Sequence, residues 1–529
     1  MTLPLSRRRL LAAIPAIPLI ALAACARPQN RVVNVRDHGA VGDGAANDAA
    51  AIRAAAAAVE PGGTLLFPAG SYLFAELNPS EGAAIRFDGR SDVTVEFESG
   101  AELVMDTVDP ATDLGTSHGI LVRGPASNIR LRNVRIRWTT RATRSMGDGI
   151  RIVGCPTDND ETPVGWDGPP APITGVEITD CDIRSAAQSG VILIGVSDIT
   201  VRRLRVHDTA ADGLHFNACR RVTVDDYVAG DNGDDGLALV TYFNEEFFFD
   251  APAETFAFPT LTDWSNADVT ATNVRVTGGM ANGVRIAGAQ RVSLNGITVT
   301  GKQSGSGVIV DSATVESDPI WHYVASREIK LNDIAAQDCS IGIHLLARPP
   351  ATAVDPRFTD FDVEVTDARS SGCTNWGVRV ESLTEQRITG LRLTGCQVEA
   401  TATEGGDGGV GLGNTRDIVL DDLTVTHAVP VTTFFAGDSA NLQIGALQLA
   451  IDGSGAPDGQ PPAPCAVFED CDGTVAQMSV RWPAAPDSWT PVLVRSADAV
   501  CGAPTLDPTV RIADLTVEPA SVTTRIGDC

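Results

Sequence analysis

Lysine is nearly absent. Lys302 and Lys330 are the only two among 40 Lys and Arg residues, so almost all positive charge is guanidinium. The formal net charge is −27. That balance excludes nucleic acid as a partner, because a phosphate backbone is held by a basic face. It also disfavours a polyanionic substrate, unless a local basic groove overrides the average. Aromatic residues are few, at 5%. Past residue 60 no long stretch carries the three-to-four spacing of an amphipathic helix. The apolar run Leu10–Ala24 falls short of the roughly 20 residues of a bilayer span, and no other stretch comes closer. There is no Cys-x-x-Cys pair among the 11 cysteines, so no metal site of the zinc-finger kind is expected.

The chain has instead 51 glycines and short Val- and Thr-rich alternations, the pattern of an all-β chain. One motif occurs twice: Asp212-Gly213-Leu214-His215-Phe216, then Asp234-Asp235-Gly236-Leu237-Ala238-Leu239. Asp212 and Asp235 are 23 residues apart, and Val201 and Val224 repeat at the same interval. Gly149, Gly190, Gly213, Gly236, Gly283, Gly307, Gly342 and Gly377 each open a similar run. A fixed period in the twenties signals a solenoid whose insertions form surface loops. The insertions fall at 155–173, 241–266, 315–325 and 347–357. Alternation turns residues one and three after each Gly inward. The residue two after it turns outward, giving the column Arg151, Ile192, His215, Ala238, Arg285, Ile309, His344 and Arg379. The residue before each Gly, from Asp148 through Ser189, Asp212, Asp235 and Asn282 to Ser306, lines the edge of that stripe. His344 and Arg379 read as solvated face residues. His215, Arg285, Asn282 and Arg151 read as candidates for substrate binding.

Residues 31–74 form an opening unit: a strand at Val32–Val35, a Gly-rich turn from Asp37 to Gly44, an Ala-rich helix from about Asp48 to Val59 with Asn47 or Asp48 as its cap, and a stop at Pro61-Gly62-Gly63. This unit closely resembles the N-terminal signature of the pectate-lyase-like superfamily. The resemblance implies a single-stranded right-handed parallel β-helix whose open end is plugged by the helix, as exposed strand edges require. The β-helix domain is expected over 31–529, with irregular coils from about 415 and a Gly/Pro-rich loop at Asp452–Pro464. Ser6-Arg7-Arg8-Arg9 resembles a twin-arginine export signal, and Leu22-Ala23-Ala24-Cys25 resembles a lipobox. These imply a signal peptide over 1–24, lipidation at Cys25, a tether over 25–30, and a monomer held outside a bacterial cell, touching membrane only through its anchor. Outside the cytoplasm disulfides are permitted. Cys465, Cys471, Cys501 and Cys529 could form two bridges; Cys181, Cys219, Cys339, Cys373 and Cys396 could pair or pack as small buried residues.

Stacking at 23 residues would bring Asp212, Asp234 and Asp235 onto one patch. Close carboxylates repel and split their pKa values, so one can stay protonated beside an ionised neighbour. Glycosidic hydrolysis needs that division of labour. The Asp-Gly coil followed by Gly-Asp-Asp resembles the polygalacturonases of glycoside hydrolase family 28, and the same stretch is similar to the α-1,3-glucanases of family 87 and the dextranases of family 49. The resemblance implies inverting hydrolysis of a polysaccharide or oligosaccharide without a cofactor, with Asp235 as general acid and Asp212 and Asp234 holding water. Two family 28 features are missing. Ala281-Asn282-Gly283 stands where Gly-His-Gly is expected, and Val308-Ile309-Val310 where Arg-x-Lys would grip a uronate. That favours a neutral or differently charged glycan. The 241–266 insertion supplies Tyr242 and Trp264, which either stack on sugar or pack on the coil; Trp321-His322-Tyr323 stands in the next insertion. Two rival readings remain: a Ca²⁺-dependent polysaccharide lyase using Arg285 or His215, and a non-catalytic carbohydrate-binding β-helix.

Overall fold

Rungs stack in parallel at the interval the sequence sets. Val191 lies opposite Leu214, Leu214 opposite Leu237, and Leu237 opposite Val284 across the 241–266 insertion. The computed structural model describes residues 31–158, 161–314, 322–400, 408–453, 462–496, 509–520 and 525–526. Cys25 and the export signal, Trp321, Cys501, Cys529 and most of the Gly/Pro-rich loop lie outside the described residues. A 15-stranded and a 23-stranded sheet, both parallel, run along the molecule and form a right-handed parallel β-helix. The ladder continues through Phe434–Gly437, Ala466–Glu469 and Val492–Arg495.

The corners are written into the sequence. Long strands such as Val196–His207, Arg220–Gly230 and Ala267–Thr277 each hold two left-handed residues, the second of which is Arg203, Asp226 and Asn273 in turn. Gly296, Asp333 and Asp367 hold the same place on later rungs. Left-handed backbone costs an L-residue about 1–2 kcal/mol, which is why Asp, Asn and Gly dominate the column. Arg203 is the exception, and its guanidinium is held by Asp180 at 2.6 and 2.8 Å. The aligned glycines answer a steric need: a Cβ at Gly213 would sit 2.2 Å from the Tyr227 hydroxyl and 2.6 Å from the Gly236 carbonyl.

One apolar core fills the coil from end to end. The helix Ala49–Ala58 covers its N-terminal mouth, burying Ile52, Ala55 and Ala56. Asp48 takes the N-cap position, but its carboxylate accepts from Val41 and Gly42 and so closes the Gly-rich turn; Asn47 accepts from Ala49 N–H at 3.2 Å. Arg90 donates to the Ala56 and Val59 carbonyls at the other end. No helix among the described residues is long and apolar enough to cross a membrane. The eight described cysteines are free and buried. The bridges allowed for Cys465 and Cys471 therefore do not join those two, and the rung-edge cysteines take the packing option. Their thiols point into the core and donate to strand carbonyls, as Cys219 does to Leu193 at 3.3 Å.

Candidate functional site

Edge residues of successive rungs are tied by a ladder of side chain to backbone. His118 Nδ1 accepts from the Asp148 N–H, Asp148 Oδ1 from Ser189, Asp212 Oδ1 from Asp235, Asp235 Oδ1 from Asn282, and Asn282 Oδ1 from Ser306, at 2.9 to 3.1 Å. Each edge carboxylate thus spends one oxygen on the fold and turns the other outward. Asp212 Oδ2 accepts from His215 Nδ1 at 2.7 Å. Asp234 Oδ2 meets the Arg144 guanidinium at 2.5 Å. Asp235 Oδ2 has no hydrogen bond among the described residues. Asp212, Asp234 and Asp235 converge, with one oxygen from each lying within 4.8 Å of the others.

The three environments differ. Burial pushes Asp235 up to about 7; Arg285 and the Asn282 amide work against that shift, while Asp212 and Asp234 add to it. Burial acts on Asp212 as well, but the His215 hydrogen bond and charge and the Arg144 charge outweigh it, and its carboxyl lies below the ordinary value. Burial and the Asp212 charge push Asp234 up, with Arg144 pulling against them. One patch therefore holds an ionised carboxylate beside one that keeps its proton up to about neutral pH, the arrangement acid–base catalysis requires.

The outward column runs in the expected register from Arg151 through Ile192, His215, Ala238, Arg285, Ile309 and His344 to Arg379. It is not a solvated stripe. His344 is buried and bonds Glu381 at 3.0 Å; Arg379 pairs with the same carboxylate and lies over Trp376. The solvated reading fails for both, because neighbouring residues on the same face supply partners and cover. His215 is buried, and its Nε2 has no partner among the described residues. Asn282 holds Asp235 through both its N–H and its amide. Arg285 forks onto the fully buried Asp311 at 3.1 and 2.7 Å and lies 4.8 Å from the Tyr323 ring. Arg151 stands two rungs before His215, joined to Asp148 at 2.9 Å and Glu254 at 2.5 Å.

The aromatic insertion packs on the coil. Its strands Tyr242–Phe243, Phe248–Asp250 and Thr255–Phe258 form a small sheet. Trp264 is buried with Phe256, Phe258 and Ile192 and lies under the Arg220 guanidinium at 4.0 Å, away from the trio. Exposed stacking on sugar is thereby corrected for Trp264, since the insertion must bury its own apolar surface. Tyr242 is buried too, packed with Ala238, Val240 and Tyr323. Its hydroxyl nevertheless feels the charges of Asp212, Arg285 and Arg144.

Sequence reasoning missed Arg144, which lies on Thr143–Met146, outside the rung period and 90 residues from its partner. It missed Asp311, though an acid closing Val308-Ile309-Val310 was there to be read. It also missed the fully buried Lys302, whose ammonium donates to the Met280 carbonyl at 2.9 Å and senses Asp235 and Asp234.

A Ca²⁺ ion takes roughly 6–8 oxygen ligands. Here His215, Arg144, Asn282 and the Asp235 N–H already engage four of the six carboxylate oxygens, and Arg144 and Arg285 set positive charge beside them. The donor set does not suit that ion.

Fold and site together define a right-handed parallel β-helix with a convergent Asp trio on its outer stripe. Residues 32–238 match the family model described as rhamnogalacturonase A/epimerase, pectate lyase-like, a stretch that holds the cap and all three aspartates. Over that region the chain is similar to the pectate-lyase-like β-helix proteins. No curated protein matches it. Among solved structures, the tailspike protein of E. coli bacteriophage HK620, in complex with pentasaccharide, has a TM-score of 0.50 at 10% identity, covering 92% of this chain and 78% of that one. The family 28 exopolygalacturonase of Yersinia enterocolitica has a TM-score of 0.49 at 14% identity, covering 87% and 79%. The family 87 α-1,3-glucanase of Streptomyces thermodiastaticus strain HF3-3 has 0.47 at 16%, covering 96% and 73%. At these identities the likeness is one of fold.

Proposed function

We propose that the protein is an inverting glycoside hydrolase acting on an extracellular polysaccharide or oligosaccharide. Asp235 is the general acid that protonates the leaving oxygen, and Asp212 and Asp234 hold and activate the water. The observation that carries this reading is the split within the trio: Asp235 is pushed up to about 7 while Asp212, within 4.8 Å, is held down. Both Asp212 oxygens already accept hydrogen bonds, which suits it to orienting water rather than attacking the sugar itself. The trio is tighter than the roughly 6.5–9.5 Å between carboxyls usual for inverting enzymes, so the stereochemistry deserves its own measurement. Arg285, spent on Asp311, is a weak candidate for gripping a uronate, which favours a neutral glycan. Export and a lipid anchor at Cys25 belong to the same reading; radiolabelled fatty acid should enter the wild type and not Cys25→Ser.

A panel of polysaccharides read by reducing-end release, with Asp235→Asn alongside, tests the proposal. Release by the wild type and a loss of about 100-fold or more in the variant is expected from removal of an acid catalyst. Release that survives the substitution would place the chemistry elsewhere. The anomer formed first, followed by ¹H NMR, decides inversion against retention.

A further inference from the structure

A polar cleft lies on the N-terminal side of the trio. Its charged lining is Arg86, Arg123 and Arg151 against Glu81, Asp148 and Glu254. Its cavity volume is about 640 Å³. Ser145 and Met146 of its wall follow directly on Arg144, which holds Asp234, and Gln188 precedes Ser189 on the rung between Asp148 and Asp212. From Asp148 to Asp212 is two strand spacings, about 10 Å at 4.7–4.9 Å each. The tip of the aromatic insertion, Ala251 to Glu254, closes one side. That tip is held by Glu254, which meets Arg151 at 2.5 Å and Arg123 at 3.5 Å.

This is a built site. The Arg151 side chain is 6% exposed and that of Asp148 is fully buried, and His118 behind them is buried as well. Arg151 Nε and Gln188 Oε1 are shielded from solvent with no partner among the described residues. Buried polar atoms of this kind carry a desolvation cost unless something satisfies them, and both residues line the cleft. The three guanidiniums are matched by three carboxylates, and the closest pairs are already made. A uronate or sulfate would need an unspent cation and would have to sit beside Asp148 and Glu254. Hydroxyl groups meet no such penalty: they both donate and accept, as this mixed lining does.

We propose that this cleft binds uncharged sugar residues of the glycan, next to the bond held at the trio. The proposal rests on the glycosidase reading for the identity of its ligand, and names the substrate as electroneutral on that side. The experiment is calorimetric titration of the full chain carrying Asp235→Asn with nigerotetraose, maltotetraose and mannotetraose, and with tetragalacturonate. At least one neutral tetrasaccharide should bind, and tetragalacturonate should bind more weakly. Adding Glu254→Gln or Arg123→Ala, both on partly exposed side chains, should weaken that binding about tenfold, the loss expected from a charged hydrogen bond. An unchanged melting temperature excludes misfolding as the cause. Preference for the uronate, no binding by any neutral probe, or binding indifferent to both added variants overturns the proposal. Wild-type turnover is measured separately. Neutral binding without turnover sinks the hydrolase reading and leaves the cleft, whereas turnover indifferent to the cleft variants sinks the cleft alone.

Discussion

Asp148 and Asp235 occupy the same edge column, are equally buried, and each give Oδ1 to the next rung's N–H. Their chemistry is opposite. The facing His118 ring and the charge and hydrogen bond of Arg151 outweigh burial and hold Asp148 down at about 2. Against burial and two like charges Asp235 has the Arg285 charge and the Asn282 amide, and it rises to about 7. Burial alone therefore decides nothing; the partners on the neighbouring column do. A fold that repeats the same backbone edge can make one rung a fixed ion pair and another, three rungs on, a proton donor by exchanging side chains.

Four substitutions or titrations sharpen that contrast. The largest effect belongs to Asp235→Asn, with about 100-fold or more lost from kcat and little change in stability, since the neutral amide resembles the favoured protonated acid. Next is Asp148→Asn, which removes one of the two carboxylates paired with the buried Arg151. It should cost about 3 kcal/mol or more in urea denaturation; full stability would show that the pair is incidental. The pH dependence of stability follows with opposite signs. The lowered Asp148 contributes stability that is present above about pH 4 and lost as pH falls toward 2, roughly 2 kcal/mol in all. The raised Asp235 binds its proton more tightly in the folded state, so stability falls as pH rises from about 4 to about 7. That slope should flatten in Asp235→Asn. The smallest effect is that of Arg144→Gln. It removes a cation that lowers both Asp212 and Asp234, so the acidic limb of the pH–rate profile should move to higher pH, with a modest fall in kcat. An unmoved limb would mean that Arg144 only packs.

Much of this was legible in the chain. The 23-residue period between Asp212 and Asp235 survives as backbone register because parallel stacking is set by rung length and the insertions loop out. Alternation placed the outward column correctly from Arg151 to Arg379, but could not tell that it is roofed. Cover comes from insertions and from cross-rung partners such as Glu381, which no period predicts. Arg144 was invisible for the same reason. Tyr242 and Trp264 read identically in the sequence, yet one packs against Ala238 and Tyr323 and the other is sealed under Arg220.

The central claim is that the trio divides its protons at neutral pH. A ¹³C NMR titration of the aspartate carboxyl carbons tests it directly, comparing wild type with Asp235→Asn. The account predicts one carboxyl titrating at about 7 in the wild type and absent from the variant. Every carboxyl titrating in the ordinary range near 4, or a signal near 7 that persists in Asp235→Asn, would contradict it.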